Sequence, residues 1–266
     1  MKQGKFVGSY GPWALVTGAS DGIGQALARL LAETGVNLVL VARRQDRLQE
    51  LAGELSARHG IETRVVVADL ADPHQVAMVH DATDDLDIGL LVASAGYGTS
   101  GPFASLDREI EAQMVDVNCR AVVAMAHAHA NRLRGRRRGG IILMSSIVAF
   151  QGVPGSATYA ASKAFVQSFA EALSIELAAD GIDVLASAPG PVHSGFAERA
   201  GMDVAKAASP DEVAAATLEA LGRRSTVRPG TRAKTLGLAL STAPRPLRTR
   251  ILGAIMRGFT VERAPA

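Results

Sequence analysis

At 266 residues, set against roughly 150 per domain, the chain is long enough for two small domains or one large α/β core. Hydrophobic residues make up 48% and charged residues 20%, which argues against wholesale disorder, and 28 Lys and Arg against 26 Asp and Glu leave a net charge of only +2, too weak a field to call for nucleic acid or an acidic partner. The single cysteine, Cys119, cannot close an internal disulfide, and no apolar run reaches the ~18 residues of a spanning helix, so the composition points to a reducing, cytoplasmic setting.

The first element is a short buried strand, Trp13-Ala14-Leu15-Val16-Thr17, followed by a glycine-rich turn and a helix carrying Ile23, Leu27, Leu30 and Leu31 on one face. A second strand, VNLVLVA over 36–42, is apolar almost throughout, as a strand covered on both faces must be. A helix with Leu48, Leu51, Ala52 and Leu55 inward leads to a third strand over 63–68. Asp72-Pro73 has N-cap and first-turn chemistry for the next helix, and IGLLVA over 88–93 is the fourth strand. One long helix over about 107–133 precedes a fifth strand at 141–146, and another over about 157–179 precedes a sixth at 184–188. This alternation predicts a doubly wound, Rossmann-type parallel sheet of about seven strands with helices on both faces, in one domain over 8–230. Residues 231–266 form an apolar, basic tail. Leu247, Ile251, Leu252, Ile255 and Phe259 fall on one helical face, which could pack on its own body, on a partner subunit or on a membrane surface.

The glycine turn, Thr17-Gly18-Ala19-Ser20-Asp21-Gly22-Ile23-Gly24, sits where the first strand feeds a helix, so a pyrophosphate could lie on backbone amides there. It is not a P-loop, because no Gly-Lys-Ser/Thr follows. The second strand ends in Ala42-Arg43-Arg44, with no carboxylate to accept from a ribose 2′-hydroxyl. Arg43 could instead pair with a 2′-phosphate, which points to NADP(H); otherwise both arginines are solvated cations at a helix start. Asp69-Leu70 ends the third strand, where the carboxylate could meet an adenine amino group or cap the following turn. Ala95 and Gly96 end the fourth, small enough for a cofactor to approach the backbone.

Of three tyrosines only Tyr159 has a lysine four residues on, Lys163, and on a helix the two share a face. A nearby ammonium favours the phenolate and so lowers the phenol's pKa towards a usable acid/base range. Ser146, at the end of the fifth strand, could donate to a carbonyl oxygen, and Asn118, buried in the long helix, could be satisfied by a water link to Lys163.

Over about residues 10–230 the sequence resembles the compact, single-domain branch of the short-chain dehydrogenase/reductase family. The resemblance is carried by the glycine turn, Asn118, Ser146, Tyr159-x-x-x-Lys163 and Pro189-Gly190-Pro191-Val192-His193-Ser194. It implies that Tyr159 exchanges the proton, Ser146 orients the substrate oxygen, Lys163 holds the nicotinamide ribose and lowers the Tyr159 pKa, and Asn118 supports a relay water. It also implies that Pro189, Gly190, Val192 and Ser194 meet the nicotinamide end. Two departures are Ala93-Ser94-Ala95-Gly96 in place of the usual Asn-Asn-Ala-Gly, and Ser194 where Thr is usual. The implied activity is NADP(H)-dependent interconversion of a ketone and a secondary alcohol, by a homodimer or homotetramer built through the two long helices.

Tyr97, Val148, Phe150, Val153 and Phe196 are candidate substrate contacts from their loop positions, and their apolar character suits a lipophilic ketone of steroid-like, 3-oxoacyl or polyketide type. The other reading is a non-catalytic NADP(H)-binding sensor, which has no need of Ser146, Tyr159 and Lys163 together. The basic run Arg134-Gly135-Arg136-Arg137-Arg138 lacks interleaved aromatics and reads as a solvated loop rather than a nucleic-acid site. His127 and His129 are two apart, so they diverge on a helix, and no metal is expected.

Overall fold

The computed structural model describes residues 3–200, 207–230, 235 and 242–259. Seven parallel strands form one sheet: β1 (Trp13–Thr17), β2 (Asn37–Ala42), β3 (Thr63–Val67), β4 (Ile88–Ala93), β5 (Gly139–Met144), β6 (Ile182–Ser187) and β7 (Thr226–Val227), in the order β3-β2-β1-β4-β5-β6-β7. The order reverses between β1 and β4. The crevice at their carboxyl ends is where open α/β sheets bind ligands.

The helices are α1 (Gln3–Tyr10), α2 (Gly22–Glu33), α3 (Gln45–His59), α4 (Pro73–Asp81), α5 (Arg108–Val115), α6 (Ala121–Arg136), α7 (Ala157–Glu176), α8 (Gly195–Arg199), α9 (Pro210–Ala220) and α10 (Arg245–Phe259). The central strands β1, β4 and β5 are buried almost throughout because apolar layers cover both faces. One layer joins Leu27 and Leu31 of α2 and Leu48, Leu51 and Leu55 of α3 to Leu38 and Leu40. The other joins Val76, Met125 and Val166 of α4, α6 and α7 to Leu15, Val39 and Leu91. Each fully buried Leu of this kind contributes roughly 1.5–3 kcal/mol relative to exposure.

Four features depart from the sequence reading. Helix α1 precedes β1, and its Phe6 is in the core, so the expected start at residue 8 falls inside an element. Its two glycines, Gly4 and Gly8, hide the helix, which is held instead by tertiary contacts that include a 2.6 Å hydrogen bond from the Tyr10 hydroxyl to Asp183. The long helix expected over 107–133 is three pieces, because a π-turn at Asp116–Arg120 interrupts it between α5 and α6. β5 starts two residues earlier than expected, which leaves Ser145 and Ser146 just beyond its end. The basic run is the end of α6 rather than a free loop: Arg134 meets Asp180 at 2.8 Å, and Arg136 meets Asp87 at 2.8 Å and the Gly11 carbonyl at 2.6 Å.

Within the tail, α10 packs on the body of its own chain. Leu252 and Met256 of α10 are buried against Val153 and Ala160, and a Cβ on Gly253 would stand 3.0 Å from the Pro154 ring. Leu247 and Ile251, expected on the same packed face, are instead exposed, because the inward stripe runs through 252, 253 and 256. The Phe259 side chain and residues 231–234, 236–241 and 260–266 lie outside the described residues.

Candidate active site

At the nucleotide end of the sheet, the Thr17 hydroxyl accepts from the amides of Ser94 and Ala95 at 3.0 Å each, which locks the ends of β1 and β4 together. Gly18 has φ +67°, and a Cβ there would stand 2.9 Å from Ala95 Cα, so glycine is required on both conformational and steric grounds. A Cβ on Gly24 would run into the Gly18 carbonyl oxygen, so its absence lets α2 close on the turn. Asp21 precedes α2 in an extended conformation without capping it, and its carboxylate faces Arg44 at 3.5 Å. The first amides of α2 therefore remain uncapped by that side chain and open towards the crevice.

One continuous cavity of about 560 Å³ runs from Arg43 and Arg44 past the glycine turn to α10. Gly18, Ser20, Asp21, Gly22, Ile23 and Gly24 line it, as do Arg43, Asp69, Leu70, Ala95 and Gly96, and Pro189, Gly190, Val192 and Ser194. Arg44, which the sequence reading left as a bystander, reaches back over the turn and donates to the Ser20 carbonyl at 3.1 Å and hydroxyl at 3.2 Å. Arg43 lies 3.6 Å from Asp69. Asp69 also accepts from the Ala71 amide at 3.0 Å, so one carboxylate both caps its turn and faces the cavity.

Ser146, Tyr159 and Lys163 reach the same cavity from the β5 end and from the first two turns of α7. Lys163 is 5% exposed; its Nζ donates to the Met144 carbonyl at 2.8 Å and stands 5.8 Å from the Tyr159 ring centre. The Ser145 hydroxyl donates to the Lys163 carbonyl at 3.2 Å, tying β5 to α7. Asn118 lies in the π-turn and is bracketed by protein. Its Nδ2 donates to the Tyr97 carbonyl at 2.9 Å and to Ser162 Oγ at 3.0 Å, and its Oδ1 accepts from the Tyr97 amide at 3.2 Å. These protein partners account for the burial of its side chain. π-turns of this kind recur at functional sites. A Cβ on Gly96 would lie 2.9 Å from Asn118 Oδ1 and 3.2 Å from Lys163 Nζ, so both groups border one small gap.

The electrostatics correct a second expectation. Burial pushes the Tyr159 phenol up to about 12, against the pull of its hydrogen bond with Ser146. The same burial brings the Lys163 ammonium down to about 8. Desolvation penalises each charged form, and it outweighs the attraction that was expected to lower the phenol.

Among the expected substrate contacts, Tyr97, Val148 and Phe196 line the cavity. The Phe196 ring sits 5.2 Å from that of Tyr159, tilted by 51°. Phe150 and Val153 do not line it. The Arg228 guanidinium covers the Phe150 ring at 4.2 Å, and Val153 is buried beneath α10. In their place Leu252, Ile255 and Met256 of α10 form the far wall. Their apolar spacing was visible in the sequence, but the surface on which the tail docks was not. Elsewhere His127 is exposed and His129 buried, with Nδ1 of His129 2.9 Å from the Met125 carbonyl. Cys119 is half-buried.

The strand order, the uncapped glycine turn at its switch point and the serine, tyrosine and lysine gathered beside it define a doubly wound nucleotide-binding fold with a polar cluster at the cavity floor. Residues 12–205 match the family described as short chain dehydrogenase, and the chain belongs to that family. It is 34% identical over 175 residues to a 7beta-hydroxysteroid dehydrogenase of Collinsella aerofaciens, a match covering 66% of each chain. It is 36% identical over 190 residues to a very-long-chain 3-oxoacyl-CoA reductase of Phaeosphaeria nodorum, covering 68% of this chain and 56% of that one. The chain therefore spans between about half and two thirds of the length of these relatives. Among solved structures, a short-chain dehydrogenase from Sphingobium yanoikuyae in complex with NADPH superposes with a TM-score of 0.78 at 30% identity, covering 96% of this chain and 98% of that one.

Proposed function

We propose that the protein is an NADP(H)-dependent oxidoreductase that interconverts a ketone and a secondary alcohol, with a lipophilic ketone as acceptor. The observation that carries this reading is the convergence of Ser146, Tyr159 and Lys163 on one cavity with the glycine turn. The cavity fits a dinucleotide. Gly18 and Gly24 leave space that side chains would fill, the start of α2 offers amides to a pyrophosphate, and Arg43 and Arg44 line the end where β2 stops without a carboxylate. That pair of arginines, together with the NADPH complex of the Sphingobium relative, supports NADP(H) over NAD(H).

When bound, NADPH supplies the hydride for the carbonyl carbon. The Ser146 hydroxyl donates to the carbonyl oxygen and orients it. Tyr159 passes its phenolic proton to that oxygen, and a phenol held at about 12 keeps the proton until charge develops on the acceptor. Lys163 would hold the nicotinamide ribose with the ammonium hydrogens not given to the Met144 carbonyl, and its positive charge would favour the phenolate left behind. Asn118 fixes the Tyr97 loop and offers the free side of Oδ1 to a relay water in the gap beside Lys163 Nζ.

The apolar walls made by Val148, Phe196, Leu252 and Met256 support a bulky acceptor, in keeping with the names of the hydroxysteroid and 3-oxoacyl-CoA relatives. Exposed Val123 on α6, and Phe165 stacked on Phe169 at 5.8 Å on α7, support assembly as a homodimer or homotetramer through those helices. No helix among the described residues is long and apolar enough to cross a membrane. The test is oxidation of NADPH and NADH against a panel of small, bulky and long-chain ketones. The expected result is faster consumption of NADPH, greatest with bulky apolar ketones. Tight NADPH binding with no turnover across the panel overturns the enzymatic reading in favour of a sensor.

A further inference from the structure

We propose that the outward face of α10 docks on an anionic lipid surface and so brings the far wall of the cavity to a bilayer. Between Glu219 and Glu262 the chain carries nine of its 28 Lys and Arg and none of its 26 Asp and Glu. The other residues hold 19 cations against 26 carboxylates, so the near-neutral whole divides into a basic stretch over 220–261 and an acidic remainder. Such segregation creates a local field that the net charge of +2 conceals.

α10 is apolar on two opposite faces. Leu252, Gly253 and Met256 are buried on the inner one. On the other, Leu247, Ile251, Ala254 and Gly258 follow at steps of three or four residues and form a single exposed stripe, in which Leu247 is 48% and Ile251 36% accessible. Arg248, half-buried, and Arg250, exposed, flank the stripe on either side, and Arg245 is exposed at the helix start. A helix that only packs on its own body has a polar outer face. This one sets apolar side chains between guanidinium groups, the arrangement that suits a membrane interface, where the stems sink and the charged heads stay at the level of the phosphates. At 15 residues α10 is too short to span a bilayer, so it lies on the surface. A second copy of the chain fits this face poorly, because it sets these arginines against their own equivalents. A nucleic acid also fits poorly: residues 220–258 contain no aromatic side chain on which bases could stack, and Leu247 and Ile251 gain nothing from a phosphate backbone. Leu252, Ile255 and Met256 of the same helix line the cavity, so docking places a cavity wall about one helix diameter, roughly 10–12 Å, from the lipid. On the oxidoreductase reading, a lipophilic acceptor dissolved in the bilayer is then concentrated beside the cavity that takes it.

The experiment is co-sedimentation of the full chain with vesicles of phosphatidylcholine, alone or with about 30% phosphatidylserine, at about 50 and about 500 mM salt. Anionic vesicles are expected to bind at least about tenfold more tightly than neutral ones at low salt, and high salt should release most of the protein. Arg245→Glu/Arg250→Glu should weaken binding to anionic vesicles by about tenfold or more, and Leu247→Gln/Ile251→Gln by about three- to tenfold. None of these four side chains lines the cavity, so an unchanged NADPH dissociation constant and thermal melt are expected for both variants. The lipid and salt dependence of the wild type decides the matter even where a variant misfolds. Equal binding to neutral and anionic vesicles overturns the proposal, as does binding unaltered in Arg245→Glu/Arg250→Glu. A cooperatively folded wild type that leaves anionic vesicles in the supernatant overturns it too. Self-association abolished by Leu247→Gln/Ile251→Gln, without vesicle binding, assigns the face to a second copy, and tighter binding to a single-stranded oligonucleotide than to anionic vesicles assigns it to nucleic acid; either result overturns the proposal. Vesicle binding is read without turnover, so a chain that sediments with anionic lipid but consumes no NADPH with any ketone keeps this surface and sinks the oxidoreductase reading alone.

Discussion

The two ends of the cavity are built on different principles. At the nucleotide end the walls are mostly backbone: Gly18, Gly22 and Gly24 fall within eight residues of one turn, and positions forbidden to side chains define the shape. At the acceptor end the walls are side chains from far-apart segments, with Val148 after β5, Phe196 on α8 and Met256 on α10. A backbone wall tolerates few residue types and constrains what binds tightly. A side-chain wall can be rebuilt one residue at a time, so specificity for the acceptor can change while the cofactor end stays as it is.

Four variants test that separation. Tyr159→Phe should lower turnover by about 10²- to 10⁴-fold, the usual contribution of a positioned acid/base, while leaving NADPH affinity within about twofold. A parallel loss of NADPH binding in a fluorescence titration would show the two ends to be coupled. Next in size, joint replacement of Arg43 and Arg44 by Ala should weaken NADPH by about 10- to 100-fold and leave NADH nearly untouched, since two exposed charge-assisted contacts are removed. An equal loss with both nucleotides would mean that the arginines shape the turn rather than read a 2′-phosphate.

Met256→Ala should cost about 2 kcal/mol in the denaturant midpoint, at the low end for a buried Met, and raise KM for a bulky ketone without altering the NADPH dissociation constant. The last effect is electrostatic. Folding brings Lys163 from its ordinary 10.5 down to about 8, so between those values the unfolded chain holds a proton that the folded chain does not. Stability from this group therefore rises with pH across that window and is lowest below about 8. Thermal melts should show the wild type gaining on Lys163→Met by a few degrees between pH 8 and pH 10.5, and a flat difference would place the ammonium in a more solvated setting than its burial indicates.

What was legible in the sequence divides along the same line. The strands and the glycine turn follow from local pattern and backbone restriction, and Tyr159 and Lys163 are set by one helical repeat. Asn118 could be singled out as a polar residue in a helix, but its bracket with Tyr97 and Ser162 needs residues brought together by the whole fold. The same holds for Arg44, whose partner Ser20 lies on another turn, and for Phe150, which loop position alone could not separate from Val148. Helix α1 was missed because its stability comes from contacts of Phe6 and Tyr10 with the body rather than from its glycine-containing sequence.

The docking of α10 has a bearing on how the molecule is made. The ribosome delivers Phe196 sixty residues before Met256, a delay of roughly three to twelve seconds at ordinary synthesis rates. For that interval the groove over Tyr159 and Phe196 lacks its outer covering, and a nascent chain presents greasy surface that the finished molecule conceals. A chaperone recognising such surface has its opening then, and release would coincide with Gly253 settling on Pro154.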